Sequence, residues 1–253
     1  MTEAGWVRSL ASHPSGKRLS NANGHDAQRM SVLAVGAHPD DIELGCAATL
    51  LAHRARGDSV AMLVMSRGEL GPQDERPRLK EQEAAADVLG AGLYWGDFGD
   101  SAVPDGCEAV DAIQRVMAEV RPDVVYTHFS QDSHQDHRAV AAATLAAARR
   151  ASRVVCYEAP SSLGFTPTMF VDVADFVEGK LDAIRAHTSQ VLKNGLVDLE
   201  AVEAQARYRG FQARIRFAEA FVVERFLWDL SSKSVSVVVP DERVYPALAV
   251  AGR

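Results

Sequence analysis

Two short clusters of histidine and carboxylate side chains are the part of this chain best suited to chemistry. The first lies within residues 37–43, where His38 and Asp41 stand three positions apart. The second lies within residues 133–137 and ends in His137. Imidazole nitrogens and carboxylate oxygens are common zinc ligands. Two imidazoles and one carboxylate leave a coordination position open for water, which is typical of catalytic rather than structural zinc sites.

Ligand types alone leave both the metal and the role of each carboxylate open. A mononuclear iron(II) site uses the same ligand types as this set. Asp40 or Asp41 would also suit the start of the following helix, where a carboxylate caps free backbone amides. A metal site is favoured because both clusters are present and each follows an apolar run.

The elements around the clusters predict where they meet. Apolar runs at 31–36 and 123–128 predict strands that are buried on both faces. The helices that follow these strands are predicted at 44–54 and 139–150. Predicted strands and helices alternate over most of the chain, which indicates a Rossmann-like, mostly parallel α/β sheet flanked by helices, with a smaller C-terminal α+β extension. Ligands of such sheets bind beyond the carboxyl ends of the strands, so both clusters are expected to face one crevice.

The chain is expected to form one main domain with two appendages. Of its 253 residues, 47% are hydrophobic and 24% are charged, which suits a single large core. Residues 1–29 show no sustained periodicity and are predicted to form a mobile arm. Residues 30–230 are predicted to form the main domain, and residues 231–253 a C-terminal tail.

Charge and hydropathy argue against several classes of function. The net charge is −7, from 34 acidic and 27 basic residues, so nucleic acids and anionic membranes are poor partners. The sequence contains no stretch of 18 apolar residues and no signal-peptide pattern, so no membrane span is predicted. Three well-separated cysteines are expected to be buried, reduced thiols, which favours a cytoplasmic protein. Nucleotide-binding glycine motifs and the GxSxG nucleophile motif are also missing from the sequence.

The two clusters resemble the paired motifs of a known enzyme family. AHPDDIE at 37–43 and SHQDH at 133–137 are similar to the motifs of the PIG-L/LmbE-like, zinc-dependent N-acetylglucosaminyl deacetylases. The resemblance extends over about residues 31–227, and shorter segments support it in the same order: SRGE at 66–69, HTSQ at 187–190 and AEAF at 218–221. The family includes deacetylases of thiol biosynthesis, of glycosylated antibiotics and of phosphatidylinositol-linked glucosamine.

The resemblance implies a role for each residue of the paired motifs. His38, Asp41 and His137 would bind Zn²⁺, with Fe²⁺ as the alternative. Asp40 would be the general base that takes a proton from the metal-activated water. His134 would stabilise the oxyanion or protonate the leaving amine, and Asp136 would hold its imidazole and raise its pKa.

Other residues are expected to support the site or to bind substrate. Glu43 is predicted to hold the loop without touching the metal. The predicted substrate-binding residues are Arg67, Arg78, Asp100, His187 and Gln190. For Arg78 the alternative is an exposed partner of Glu81 on the same helix, and for His187 it is a plain residue at a helix C-terminus.

The resemblance implies a hydrolase that removes an N-acetyl group from a small amino-sugar substrate, such as a sugar conjugate or an antibiotic intermediate. An amidase that releases a larger acyl group and a non-catalytic sugar- or nucleotide-binding module are the alternatives. A homo-oligomer is expected, because trimers and hexamers occur in the family. Asp132 stands where some thiol-pathway relatives have a tyrosine, which argues against a thiol-pathway substrate.

Overall fold

The computed structural model describes residues 29–69, 75–193 and 197–228. The predicted mobile arm at 1–29, except Arg29, and the predicted tail at 231–253 lie outside the described residues. The strands are β1 (Ser31–Gly36), β2 (Ser59–Ser66), β3 (Gly92–Phe98), β4 (Val124–His128), β5 (Arg153–Tyr157), β6 (Met169–Asp172) and β7 (Ala218–Phe226). The helices are α1 (Asp41–Ala55), α2 (Glu75–Leu89), α3 (Cys107–Val120), α4 (Gln135–Ala147), α5 (Val177–Arg185) and α6 (Leu199–Ala213), with a π-helical turn at Ser189–Lys193.

The described strands form one seven-stranded sheet in the order β3-β2-β1-β4-β5-β7-β6. Strands β1 to β5 are parallel, whereas β7 runs antiparallel to both β5 and β6. The predicted Rossmann-like, mostly parallel sheet is confirmed, and the C-terminal extension completes the same sheet. The strand order reverses between β1 and β4, and a crevice opens beyond the carboxyl ends of the strands at such a reversal.

Alternate residues of β1 pack into two separate cores. Val32 and Ala34 pack with side chains of α1 and α2, whereas Leu33 and Val35 pack with side chains of α3 and α4. All four are fully buried. This two-sided burial explains why the strand reads as an unbroken apolar run, since neither face meets water.

Two helices begin earlier than the periodicity of apolar residues predicts. Helix α1 starts at Asp41 rather than Leu44, and α4 starts at Gln135 rather than Ala139. In α4, His134 is the N-cap residue, and its side chain accepts a hydrogen bond from the backbone amide of Asp136. Both motifs therefore lie at helix N-termini, where the apolar stripe has not yet begun.

Helix α1 is broken at Cys46, whose φ of −150° is not helical. A buried ion pair bridges the break, with the Lys180 and Glu219 side chains 2.6 Å apart. Lys180 donates to the carbonyl of Leu44 before the break, and Glu219 accepts from the amides of residues 48 and 49 after it. The pair satisfies backbone groups that the interrupted helix leaves free.

The described residues also bear on the predictions about membrane spans and about the cysteines. None of the helices there is long and apolar enough to cross a membrane. Cys46 and Cys156 are buried, but Cys107 is exposed at the first turn of α3. The prediction of three buried thiols is therefore wrong for Cys107.

Candidate active site

The first motif forms the corner between β1 and α1. The Asp41 carboxylate folds back onto the start of the motif, where its Oδ2 accepts a hydrogen bond of 2.7 Å from the His38 amide. The same oxygen lies 3.3 Å from His38 Nδ1. Between them, Asp40 adopts a left-handed backbone with φ of 100°. Non-glycine residues seldom adopt this conformation, and strain of this kind clusters at functional sites.

The second motif reaches the same point from the end of β4. His137 Nε2 lies 3.3 Å from Asp41 Oδ1. The His38 and His137 rings are 5.5 Å apart, and the His134 ring lies 4.7 Å from each. The structure therefore brings together the three residues predicted to bind metal, and it places His134 beside them.

The donor atoms at this corner suit a divalent metal ion. Three overlapping sets of side chains have ligand atoms within 4.8 Å of one another, namely His38–His134–His137, Asp41–His128–His137 and His38–Asp100–Asp136. Mixed imidazole and carboxylate donors are ligands of zinc and of iron(II) alike. The donor chemistry fits a metal site without selecting between these two metals.

Two residues at this corner were not assigned a role from the sequence. His128 is fully buried and stacks on His137 at 4.0 Å, with its Nε2 3.2 Å from Asp41 Oδ2. Burial lowers the pKa of His128 to about 4, although Asp41 acts in the other direction. Asp132 Oδ2 lies 3.2 Å from His137 Nδ1. The sequence could have indicated both residues by their position, because His128 ends β4 and Asp132 lies between β4 and the second motif.

Asp136 differs from its predicted role. Its carboxylate lies 3.1 Å from His38 Nε2, whereas its contact with His134 runs from its backbone amide to His134 Nδ1 at 3.2 Å. The pKa of His134 is lowered rather than raised, by burial and then by the neighbouring His38 and His137. The charge of Asp136 does act to raise the pKa of His134, as predicted, but burial, His38 and His137 outweigh it. The predicted contact of the carboxylate with the His134 imidazole is replaced by its contact with His38.

Asp40 is held from behind by a chain of polar groups. Its backbone amide donates to Gln82 Oε1 at 3.2 Å, and Gln82 Nε2 donates to Glu43 Oε1 at 2.6 Å. On the other side, Arg78 donates to the carbonyl of Pro39 at 2.6 Å and lies 3.6 Å from Asp40 Oδ2. Glu43 therefore supports the loop, as predicted.

The adjacent carboxyls of Asp40 and Asp41 have pKa values that are shifted in opposite directions. Burial, and then the negative charge of Asp41, raise the pKa of Asp40 to about 6, although His187 and Arg78 partly offset this. Burial would also raise the pKa of Asp41, but His137 and His128 outweigh it and hold that pKa well below its usual value. Asp41 is thus a permanent anion, whereas Asp40 can exchange a proton near neutral pH.

The predicted substrate-binding residues divide by accessibility. Arg67 is at the rim, where its guanidinium binds Asp97 Oδ1 at 2.6 Å. Asp100 lies next to the metal-binding candidates, with its Oδ1 3.2 Å from His38 Nε2. Arg78 is only 6% exposed and holds the Pro39–Asp40 peptide, so the exposed pairing with Glu81 is not observed.

His187 and Gln190 lie behind the corner rather than on it. His187 is fully buried, 3.5 Å from Glu43 Oε1, and Gln190 is 5% exposed and donates to Ser189 Oγ. Glu81 fixes this segment by accepting hydrogen bonds from Ser189. His187 thus lies against Glu43, which supports the loop of Asp40, and Gln190 contacts the neighbouring Ser189. The predicted contact of both residues with substrate stays a prediction.

Comparison with known proteins is consistent with this arrangement. The family model described as PIG-L, GlcNAc-PI de-N-acetylase, matches residues 33–148, which include both motifs. A deacetylase of Escherichia coli named YaiS, whose activity is uncharacterised, is 36% identical over 180 residues, covering 68% of this chain and 95% of YaiS. The chain belongs to the PIG-L family.

Two further proteins are similar to this PIG-L family member. The diacetylchitobiose deacetylase of Thermococcus kodakarensis is 30% identical over 185 residues, which cover 63% of this chain and 69% of that enzyme. The crystal structure of the conserved protein TT1542 from Thermus thermophilus superimposes with a TM-score of 0.72 at 29% identity, over 81% of this chain and 100% of that one. Both similarities cover well over half of the chain.

Proposed function

We propose that this chain is a metal-dependent hydrolase that removes the N-acetyl group of an amino sugar. The observation that carries the proposal is the convergence of His38, Asp41 and His137 beside Asp40, a carboxyl whose pKa is raised to about 6. Similarity to a diacetylchitobiose deacetylase supports the acetamide of an amino sugar as the bond that is broken. Zinc is the proposed metal, with iron(II) as the alternative.

Asp40 is the proposed general base. A divalent metal ion held by His38, Asp41 and His137 would supply a water nucleophile at neutral pH and polarise the amide carbonyl. Asp40 is next to one of these ligands, and a base is most effective when its pKa lies near the working pH. Having taken the proton, Asp40 would carry it to the leaving amine.

His134 is the proposed hydrogen-bond donor to the oxygen that becomes negative when the amide carbon turns tetrahedral. Its Nδ1 accepts from the Asp136 amide, so the hydrogen of a neutral ring is on Nε2. Because its pKa is lowered, the ring is neutral at pH 7 and acts as a donor without a full charge.

An open groove beside this corner is the proposed place for the sugar. It has a volume of about 500 Å³ and is lined by residues 101–105 and by the first turns of α4, including Asp136 and Arg138. Pockets for small ligands commonly have volumes of about 300–1,000 Å³. Asp100 and Arg67, near the same edge, are the proposed partners of sugar hydroxyls. A homo-oligomeric state and a cytoplasmic location stay predictions.

Metal content and amine release test the proposal together. We expect one divalent metal ion per chain and the release of acetate and free amine from N-acetylglucosamine or N,N′-diacetylchitobiose. Asp40→Asn should keep the metal and lose about 10²- to 10⁴-fold in turnover. Asp87→Asn, at an exposed position of α2, is the matched control and should be unchanged. A protein that binds no stoichiometric metal, or full turnover by Asp40→Asn, would refute the proposal.

Acyl length separates the deacetylase from the amidase alternative. For glucosamines that differ only in the N-acyl chain, we expect the highest kcat/KM with acetyl. A clear preference for a bulkier acyl group would make the chain an amidase with the same metal site. Tight sugar binding without amine release would instead indicate a binding module.

A further inference from the structure

Asp132 is the buried group that faces the side of His137 turned away from the proposed metal. It is 3% exposed, and its Oδ2 lies 3.2 Å from His137 Nδ1. The other ring nitrogen of His137, Nε2, lies 3.3 Å from Asp41 Oδ1. The imidazole is therefore held between a carboxylate behind it and the donor cluster in front of it.

The Asp132 carboxylate is fixed from several sides. Its Oδ1 accepts a hydrogen bond of 2.8 Å from the His134 amide, and its Oδ2 accepts one of 3.3 Å from Ser162 Oγ. Residues 132 and 162 also form an isolated antiparallel bridge, which ties the loop after β4 to the loop after β5. The carboxylate cannot turn away from His137 without breaking these contacts.

A carboxylate in this position determines which nitrogen of His137 carries the hydrogen. An ionised carboxylate only accepts hydrogen bonds, so it stabilises the neutral ring with its hydrogen on Nδ1. A carboxylate also faces Nε2, because Asp41 Oδ1 lies 3.3 Å from it. With Asp41 bound to the metal, Asp132 alone selects the form of the ring, and the lone pair is on Nε2, where a metal ligand needs it. Ser161 Oγ, also 3.2 Å from His137 Nδ1, can either donate or accept and therefore selects neither form.

His134, three residues earlier, is held in the opposite form. Its Nδ1 accepts from the Asp136 amide at 3.2 Å, so Nδ1 has the lone pair and Nε2 the hydrogen. His134 and His137 both belong to one set of potential metal ligands and have the same side chain. Their hydrogen-bond partners distinguish them, because only His137 presents a bare Nε2.

We infer that Asp132 is a positioning residue that makes His137 the metal ligand and leaves His134 as a hydrogen-bond donor. This inference rests on the metal site of the proposed function. It gives a structural role to the carboxylate that stands where some thiol-pathway relatives have a tyrosine. Groups that orient a metal-bound histidine commonly change metal affinity about 10- to 100-fold when they are replaced.

Asp132→Asn tests the role with little change in shape. The amide oxygen still accepts from the His134 backbone, which directs the NH₂ group toward His137 Nδ1. That NH₂ group would favour the wrong form of the ring, so we expect Zn²⁺ affinity, measured by competition with a chromophoric chelator, to fall about 10- to 100-fold. Ser161→Ala removes the other neighbour of Nδ1 and should stay much closer to wild type.

The two possible failures give different results. Equal Zn²⁺ affinity of wild type and Asp132→Asn, or an equal loss in Ser161→Ala, would overturn the role of Asp132 alone. A wild-type protein that binds no Zn²⁺ would overturn the proposed function and the inference with it. Nitrogen-15 NMR of the histidines in Zn²⁺-loaded wild-type protein needs no variant and should show hydrogen on Nδ1 of His137 and on Nε2 of His134. The reverse assignment would also overturn the inference.

Discussion

At the scale of single residues, the corner assigns different tasks to two neighbouring carboxylates. Asp41 is surrounded by imidazoles, which keep it ionised. Asp40 Oδ2 instead lies 3.6 Å from Arg78, and the pKa of Asp40 is raised to about 6. Separation of the pKa values of adjacent carboxyls is a common way to obtain one ligand and one base from the same residue type.

The raised pKa of Asp40 predicts the acid side of the pH profile. A base works only when ionised, so kcat/KM should fall about tenfold per pH unit below the pKa of Asp40, which is about 6 in the metal-free site and lower beside a bound cation. An unperturbed aspartate would keep activity down to about pH 4. Initial rates measured between pH 4 and 8 locate this acid limb, the pH range in which kcat/KM falls.

Arg78→Met is the matched variant for this profile. The charge of Arg78 lowers the pKa of Asp40, so its removal should move the acid limb to higher pH, whatever happens to the maximal rate. A limb that does not move in Arg78→Met would contradict the assignment of that limb to Asp40.

At the scale of elements, the break in α1 determines where the first motif points. The segment before the break carries Asp41 and Glu43, and the segment after it packs into the core. The Lys180–Glu219 pair satisfies backbone groups on both sides of the break. The AEAF segment at 218–221, far from the motifs in sequence, thereby supports them.

Glu219→Gln is expected to destabilise the fold strongly. It leaves Lys180 buried without a counter-charge, and removal of one partner of a buried pair typically costs about 3–5 kcal/mol. Urea unfolding measures this loss. Replacing both residues, Lys180→Met with Glu219→Gln, should cost less than the sum of the two single changes, because no charge is then left unpaired. Strictly additive losses would show that the two residues do not act as a pair.

The sequence predicted where strands and helices occur more readily than it predicted which strands pair with each other. Strand β1 was predicted with its observed ends because it is apolar on both faces. The start of α4 was placed four residues late, since polar residues form its first turn. The place of β7 between β5 and β6 depends on pairing between distant residues, which no local pattern records.

The candidate site was predictable only as far as its motifs extend. The proximity of His38, Asp41 and His137 followed from residue type and from their positions just after two predicted parallel strands. The contacts of Asp132 and His128 did not, because a loop aspartate and a strand histidine look ordinary in sequence. The contact of the Asp136 carboxylate was assigned to the wrong histidine for a similar reason, since its partner His38 is 98 residues away.

At the scale of the whole molecule, the site joins two distant parts of the chain. Strands β1 and β4 are neighbours in the sheet, and the motif after each meets the other where the strand order reverses. A metal ion held by His38, Asp41 and His137 would therefore link the corner of α1 to the start of α4. Any ligand that binds only the folded state stabilises it by mass action.

Metal removal should therefore lower the unfolding temperature. With free Zn²⁺ at about 100 times its Kd, the stabilisation amounts to about 2.7 kcal/mol. Calorimetry of chelator-treated and Zn²⁺-loaded protein measures the difference. His137→Ala should unfold at nearly the same temperature in both conditions. A metal-independent unfolding temperature in the wild type would contradict a site that holds its ion in the folded state.

The left-handed backbone of Asp40 leads to a trade-off between stability and activity. Glycine adopts positive φ without steric cost, and its amide would keep the hydrogen bond to Gln82. Asp40→Gly should therefore raise the free energy of unfolding of the metal-free protein, by about 1 kcal/mol in urea titrations, while it abolishes turnover. Asp40→Asn also removes the buried charge but keeps the strained backbone, so it should gain less stability than Asp40→Gly. A selection for thermal resistance alone would then favour the loss of the catalytic base.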